Sequence, residues 1–224
     1  MYKLALKIRH ALYDRGVLKS SAAEVPTICV GNITVGGTGK TPHTELILRM
    51  LLESDEWGAR NLAVLSRGYG RESGGFQQVT REGSAASFGD EPMQIKKNFP
   101  GVTVAVDKDR IRGCSVLCHP EKLQGKKRFA RNCRDREFPA ADLIVLDDAF
   151  QYRRLKASMN IVLVDWNHPV HKDRLLPWGR LRDLRSRLAA ADIIIVTKCP
   201  SVLDNWEKTS FTYTLGIRDY QTST

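Results

Sequence analysis

Eight consecutive residues, Thr34-Val35-Gly36-Gly37-Thr38-Gly39-Lys40-Thr41, have the types and spacing to hold a chain of phosphates. They fit G-x-x-x-x-G-K-[ST] everywhere but the first place, where Thr34 stands for Gly. Glycines let the backbone turn tightly, so N–H groups at the start of a helix point outward at phosphate oxygens. Lys40 then reaches the β- and γ-phosphates, and the Thr41 hydroxyl sits on Mg²⁺. Asp147 and Asp148 are the second candidate group. They follow the apolar run Leu143-Ile144-Val145-Leu146, which suits an acidic strand end on the Mg²⁺ side of a phosphate loop. Arg67 and Arg71, in Arg67-Gly68-Tyr69-Gly70-Arg71, follow another apolar run and suit phosphate through fork-like hydrogen bonds. A plain glycine turn with exposed arginines is the other reading of that stretch. Cys114, Cys118, His119 and Cys133 fit no paired C-x-x-C spacing and read as buried or incidental thiols rather than a zinc site.

These residues need elements to place them. The spacing predicts a first strand over Val25–Ile33, the glycine loop, and a helix ending before Asp55. Further strands are expected at Asn61–Ser66, Val102–Val106, Asp142–Asp148, Asn160–Asp165 and Ile193–Lys198, with a short one at Gln77–Thr80. Helices are expected from Gly89-Asp90-Glu91-Pro92 to Asn98 and from Asp107-Lys108-Asp109-Arg110 to about Cys118. Asp90 stands at a helix start, where a carboxylate suits an N-cap. Alternation of strands and helices implies an α/β fold with a mostly parallel sheet covered on both faces. Pro120 to Pro139, with seven Lys and Arg, reads as an insertion loop. The domain plan is an N-terminal helix in 1–24, a phosphate-loop domain in 25–200 and a separate tail in 201–224.

The chain has 224 residues, a net charge of +10 and a pI near 9.5. That excess suits nucleic acid, an anionic membrane surface or a phosphorylated substrate. Only Phe129 and Phe138 interrupt the basic 120–139 segment, which is thin for stacking on bases. Met1 to Tyr13 is a basic amphipathic helix, with Leu4, Ile8, Ala11 and Leu12 on one stripe and Lys3, Lys7 and Arg9 elsewhere. It suits either an anionic membrane surface or packing against the domain. Five cysteines at irregular places and no signal peptide point to a reducing cytosol. No apolar run is long enough to span a bilayer.

Several motifs then fall in one order. They are Val30-Gly31-Asn32 with the phosphate loop and Pro42, Ser66-Arg67-Gly68-Tyr69-Gly70-Arg71, Gly89-Asp90-Glu91-Pro92, and Asp147-Asp148-Ala149-Phe150-Gln151-Tyr152. Leu175-Leu176-Pro177-Trp178-Gly179-Arg180-Leu181-Arg182-Asp183 and Val196-Thr197-Lys198-Cys199-Pro200 complete the set. Together they resemble the tetraacyldisaccharide 4'-kinase family of lipid A biosynthesis. The resemblance implies a P-loop kinase fold and transfer of the γ-phosphate of ATP, with Mg²⁺, to the 4'-hydroxyl of an acylated disaccharide 1-phosphate. It also implies a peripheral protein on the cytoplasmic face of a Gram-negative inner membrane, with no nucleic-acid partner. By position it implies Asp90 as the base, with Lys40 and Asp148 also catalytic. Residues Thr34 to Thr41 would bind nucleotide, Arg67 and Arg71 phosphate, and Thr41, Asp147, Asp148 and Asp183 the metal.

Three departures stand out. Ala149 replaces the family's common Gly, and Tyr152 its common His. The family also carries a later Asp-His-His motif, whose His assists the Asp base, whereas no His follows His171 here. Ser210 to Thr224 looks unlike the family. The expectation is a shortened chain, with a catalytically impaired nucleotide-binding fragment as the alternative. A P-loop GTPase or metallochaperone-type switch is disfavoured, because Thr197-Lys198-Cys199-Pro200 lacks the Asp that pairs with guanine. A nucleic-acid-binding ATPase is disfavoured by the sparse aromatics.

Overall fold

Apolar runs ending in polar residues form the strands, and glycine or capped turns start the helices that cross between them. The computed structural model describes residues 1–72, 74–123, 138–200, 202 and 204–215. The elements are α1 (Tyr2–Asp14), β1 (Ser21–Ala22), β2 (Thr27–Gly31), α2 (Lys40–Glu53), β3 (Leu62–Ser66) and β4 (Gln77–Gln78). They continue with α3 (Ala85–Phe88), α4 (Asp90–Asn98), β5 (Thr103–Val106), α5 (Arg110–Cys118), β6 (Leu143–Asp147), β7 (Leu155–Lys156), β8 (Met159–Asp165), β9 (Ile193–Thr197) and α6 (Asn205–Leu215).

Seven strands make one sheet in the order β4-β5-β3-β6-β2-β8-β9, parallel except for the edge strand β4. β3, β5 and β6 are buried along their whole length, as strands covered on both faces must be. One face buries Leu48 of α2 and Ile95 of α4 against Val64, Val104 and Val145. The other buries Cys114 and Leu117 of α5 against Leu65, Ile144 and Leu146. β9 closes the far side of the sheet with Ile193 exposed and Ile194, Ile195 and Val196 half-buried.

The sequence placed every main strand and moved its ends by one or two residues. Part of the basic insertion is a 3₁₀ turn, Pro120–Leu123. The rest of it, residues 124–137 with Cys133, lies outside the described residues, as do 216–224. Among the described residues no helix is long and apolar enough to cross a membrane.

α1 turns part of the expected stripe outward and leaves Ala11 and Leu12 half-buried. Leu4 and Ile8 are 62% and 52% exposed, and Leu6 and His10 are the buried residues. The helix is docked as well as amphipathic. Tyr2 donates its hydroxyl to Arg182 O at 2.8 Å, and Arg9 donates to Gln151 O at 2.9 Å.

From β2 the chain crosses to β3 on one side, and β8 adds later on the other. In open α/β sheets such a switch point leaves a crevice at the carboxyl ends of the strands. Val30 of β2 is level with Asp147 of β6, so the phosphate loop and the acidic pair leave the sheet side by side.

Candidate active site

The phosphate loop is tied from below and open above. Asn32, Ile33 and Thr34 are buried. Val35 donates its N–H to Arg180 O at 2.7 Å, and Thr34 bridges to Leu181. Asn32 donates from Nδ2 to Thr38 Oγ1 at 2.6 Å, and Thr197 Oγ1 donates to Thr38 O at 3.1 Å. Gly36 and Gly37 are exposed, with open space where a Cβ would stand. Gly39 has φ 87 and caps α2, so Lys40 is the first helical residue. A side chain at Gly39 would be strained, because the turn needs the left-handed region. The free N–H groups and positive end of the α2 dipole therefore face the loop, as an anion requires.

The two carboxylates at the end of β6 live in opposite environments. Asp147 is fully buried, and its Oδ2 accepts from Ser66 Oγ at 2.9 Å. Its Oδ1 is buried with no hydrogen-bond partner among the described residues. Burial first, then the Glu91 charge, pushes its carboxyl up to about 6. Asp148 takes φ 52 and donates its N–H to Val30 O at 2.9 Å, which turns its side chain out of the strand. Both its oxygens accept from Arg182, with Nη1 to Oδ2 at 2.9 Å. Burial alone would raise this carboxyl. The hydrogen bonds and charge of Arg182, then Lys40 and Arg110, outweigh it and hold the group below the usual carboxylate range. Lys40 and Asp148 thus feel each other across the crevice. Arg110 is 2% exposed and donates to Asp107 O at 2.5 Å and Asp147 O at 2.9 Å, bracing the strand end from behind.

A buried carboxylate oxygen without a donor fits a hard cation. Asp147 Oδ1, with the half-buried Thr41 hydroxyl at the start of α2, offers the one or two oxygens that Mg²⁺ takes from protein when phosphates supply others. Asp148 is already clamped by Arg182. Asp183, also in the expected metal set, keeps a buried Oδ2 without a partner among the described residues. It is 1% exposed, its Oδ1 lies 2.6 Å from His10 Nε2, and it accepts from Leu184 N–H at 2.7 Å. Among the described residues no three His, Cys, Asp or Glu side chains are placed to hold a metal ion.

Asp90 is exposed at the first position of α4, one residue after the N-cap Gly89, so its carboxylate lies at the positive end of the helix rather than at the cap. Gly68 and Gly89 bring the arginine loop against this helix start. A Cβ on Gly68 would lie 2.9 Å from Phe88 O, and one on Gly89 3.1 Å from Tyr69 O.

The two arginines of that loop part company. Arg67 is exposed, whereas Arg71 is 7% exposed and donates to Gly75 O at 2.7 Å. Arg71 Nη2 ties the loop to Gly75 O from inside, while Nε and Nη1 are buried without a partner among the described residues.

Sequence reasoning gave no role to Arg182, Asn32, Gln151, Ser66 or Arg110. Arg182 also donates to both oxygens of Asn32, and Gln151 donates to Asn32 O. All five stand at or beside strand ends that converge on the crevice, and that position is the signal that could have found them.

A model of the family described as tetraacyldisaccharide-1-P 4'-kinase matches residues 1–221. The chain belongs to this kinase family. The match runs through the last helix, so the stretch after Ser210 is not foreign to the family up to residue 221. A tetraacyldisaccharide 4'-kinase of Porphyromonas gingivalis is 43% identical over 203 residues, covering 91% of this chain and 51% of the relative. One of Bacteroides fragilis is 42% identical over 221 residues, covering 99% of this chain and 53% of the relative. The chain spans about half the length of the curated relatives it matches. Among solved structures, LpxK of Aquifex aeolicus, crystallised in complex with ATP, superposes with a TM-score of 0.71 at 30% identity. That likeness covers 91% of this chain and 59% of the other. The kinase family and its P-loop fold are what the ordered motifs implied.

Proposed function

We propose that the chain carries the ATP site of a kinase that phosphorylates the 4'-hydroxyl of tetraacyldisaccharide 1-phosphate in lipid A biosynthesis. The observation that carries this reading is the pairing of an open glycine loop and Lys40 with the buried, donor-free oxygen of Asp147 one strand away. Residues Thr34 to Thr41 would cradle the triphosphate, with Lys40 on its outer oxygens. Thr41 and Asp147 would hold Mg²⁺, which neutralises charge on the β- and γ-oxygens. Asp90 would take the proton of the acceptor hydroxyl as the γ-phosphate moves. Arg67, exposed beside it, would steady the transferred group. In this reading Asp148 acts with Arg182 to fix the lysine side of the crevice.

The acceptor is an anionic amphiphile, which suits a chain of net charge +10. Leu4 and Ile8, exposed on α1 with Lys3 and Lys7 beside them, suit peripheral contact with an anionic inner-membrane surface on the cytoplasmic side of a Gram-negative cell. Residues 1–24 then act as a surface helix that is also part of the kinase domain. Nucleic acid has no place in this reading.

The test is transfer of labelled γ-phosphate from Mg-ATP to tetraacyldisaccharide 1-phosphate in detergent micelles, with Lys40→Ala as control. Product that vanishes in Lys40→Ala supports the kinase. ATP bound without product would assign the chain to nucleotide binding alone.

A further inference from the structure

His10 is a buried titratable residue that the phosphate chemistry leaves unused. It is 5% exposed, on the inner face of α1. Arg153 Nη1 lies 3.2 Å from its Nδ1 and donates to its backbone O at 3.1 Å. Arginine has no acceptor, so Nδ1 must be the acceptor and Nε2 must carry the hydrogen. That hydrogen is donated to Asp183 Oδ1 at 2.6 Å. Arg153 is itself held by Asp14 at 2.7 Å, near the end of the same helix. The imidazole is thus fixed in one tautomer and one orientation, between an arginine and a carboxylate.

Asp183 is joined to the nucleotide site through its neighbours. Arg182 clamps Asp148 and holds Asn32. Arg182 N–H donates to Ile33 O at 2.9 Å, Leu181 bridges Thr34, and Arg180 O accepts from Val35 N–H. Four successive residues, 180–183, therefore connect the limb of the phosphate loop to α1. Tyr2 holds the same segment through Arg182 O.

We propose that His10 is a positioning residue, which through Asp183 sets the Arg182 clamp on Asp148 and the rising limb of the phosphate loop. The seating of α1 is then part of the nucleotide site. A partner at this remove orients the groups that touch the ligand, and losing such partners typically costs about 10- to 100-fold in affinity or activity. This inference rests on the reading of the crevice as a Mg-nucleotide site.

The experiment measures the Kd of a fluorescent ATP analogue with Mg²⁺, alongside melting temperature, in the 224-residue chain and in His10→Ala, His10→Asn and His10→Gln. The Gln amide nitrogen reaches where Nε2 stood and restores the donor to Asp183. The shorter Asn amide reaches only the Nδ1 position beside Arg153. His10→Ala and His10→Asn are expected to weaken binding about tenfold or more, and His10→Gln to return it to within about threefold. A purely structural role would lower the melting temperature and leave the affinity of the folded protein unmoved. Wild-type affinity in folded His10→Ala would overturn the proposal. If His10→Ala does not fold, equal affinities in His10→Asn and His10→Gln would overturn it. A wild-type chain that binds no Mg-nucleotide would instead overturn the reading of the crevice itself.

Discussion

Two acidic corners of this molecule look alike in sequence and differ in partnership. At the end of β6, Asp147 buries an oxygen that no donor meets among the described residues. At residue 183, an equally buried carboxylate is met at Oδ1 by the imidazole of α1 and by Leu184 N–H, while its Oδ2 is likewise without a donor among the described residues. Both keep one donor-free oxygen, but the first stands beside the phosphate loop and the second is built into a helix contact. Burial does not make a carboxylate a ligand. What separates the two is what stands beside them, the phosphate loop at Asp147 and the imidazole of α1 at Asp183, since an unpaired buried charge is costly until something pairs it.

The largest effect expected is at neither corner. Asp90→Ala should slow γ-phosphate transfer by about 10²- to 10⁴-fold while nucleotide affinity, read by fluorescence titration, stays near wild type. The same assay sharpens the comparison. If Asp183→Ala lost transfer as deeply as Asp90→Ala and its nucleotide affinity no longer responded to Mg²⁺, a response that His10→Ala keeps, Asp183 would be a ligand after all.

Next comes a pair of variants with opposite signs. Asp147→Asn removes a buried charge, keeps an acceptor for Ser66, and should raise the melting temperature of the ligand-free chain by a few degrees. Mg²⁺-dependent nucleotide binding should be lost with it. Asp183→Ala leaves His10 Nε2–H and Leu184 N–H without their acceptor, and should lower stability by about 1–3 kcal/mol. Calorimetry on both variants checks the pair, and a shift of the same sign in each would break the distinction.

The smallest effect lies behind the crevice. Burial pushes the Cys29 and Cys114 thiols up to about 12. At pH 8 iodoacetamide should leave both unlabelled until the chain unfolds. In the unfolded chain such thiols ionise near 9, and in the folded one only toward 12. Their contribution to stability is therefore complete below pH 9 and is lost as pH rises from there toward 12. Urea melts at pH 8 and pH 10.5 would show it.

Much of this was legible in the residues. Buried parallel strands have to be apolar along their length, so Leu143–Leu146 and Ile161–Val164 announced themselves. Gly39-Lys40-Thr41 carried its backbone geometry in its glycine. Partners far apart in the chain were not legible. His10 and Asp183 are separated by 173 positions, and nothing local to either shows that they meet. Arg67 and Arg71 look equivalent until the turn at Gly68 sends one guanidinium outward and the other under the loop. On α1 the apolar stripe attracts attention, yet Tyr2, Leu6, Arg9 and His10 do the docking. Sequence patterns report the period of burial well, and they report pairing across the fold poorly.

The outermost strand has a consequence for how the protein behaves in a tube. Among the described residues β9 pairs only with β8, and its isoleucines are partly open to water, Ile193 exposed and Ile194 and Ile195 half-buried. A sheet edge of that composition is a template for another strand. The surplus of ten positive charges keeps copies apart at low ionic strength, where repulsion extends beyond the width of a strand. Added salt shortens that reach to about 3 Å at 1 M, so concentrated stocks of this basic chain are expected to be clearest in dilute buffer and to cloud as salt rises.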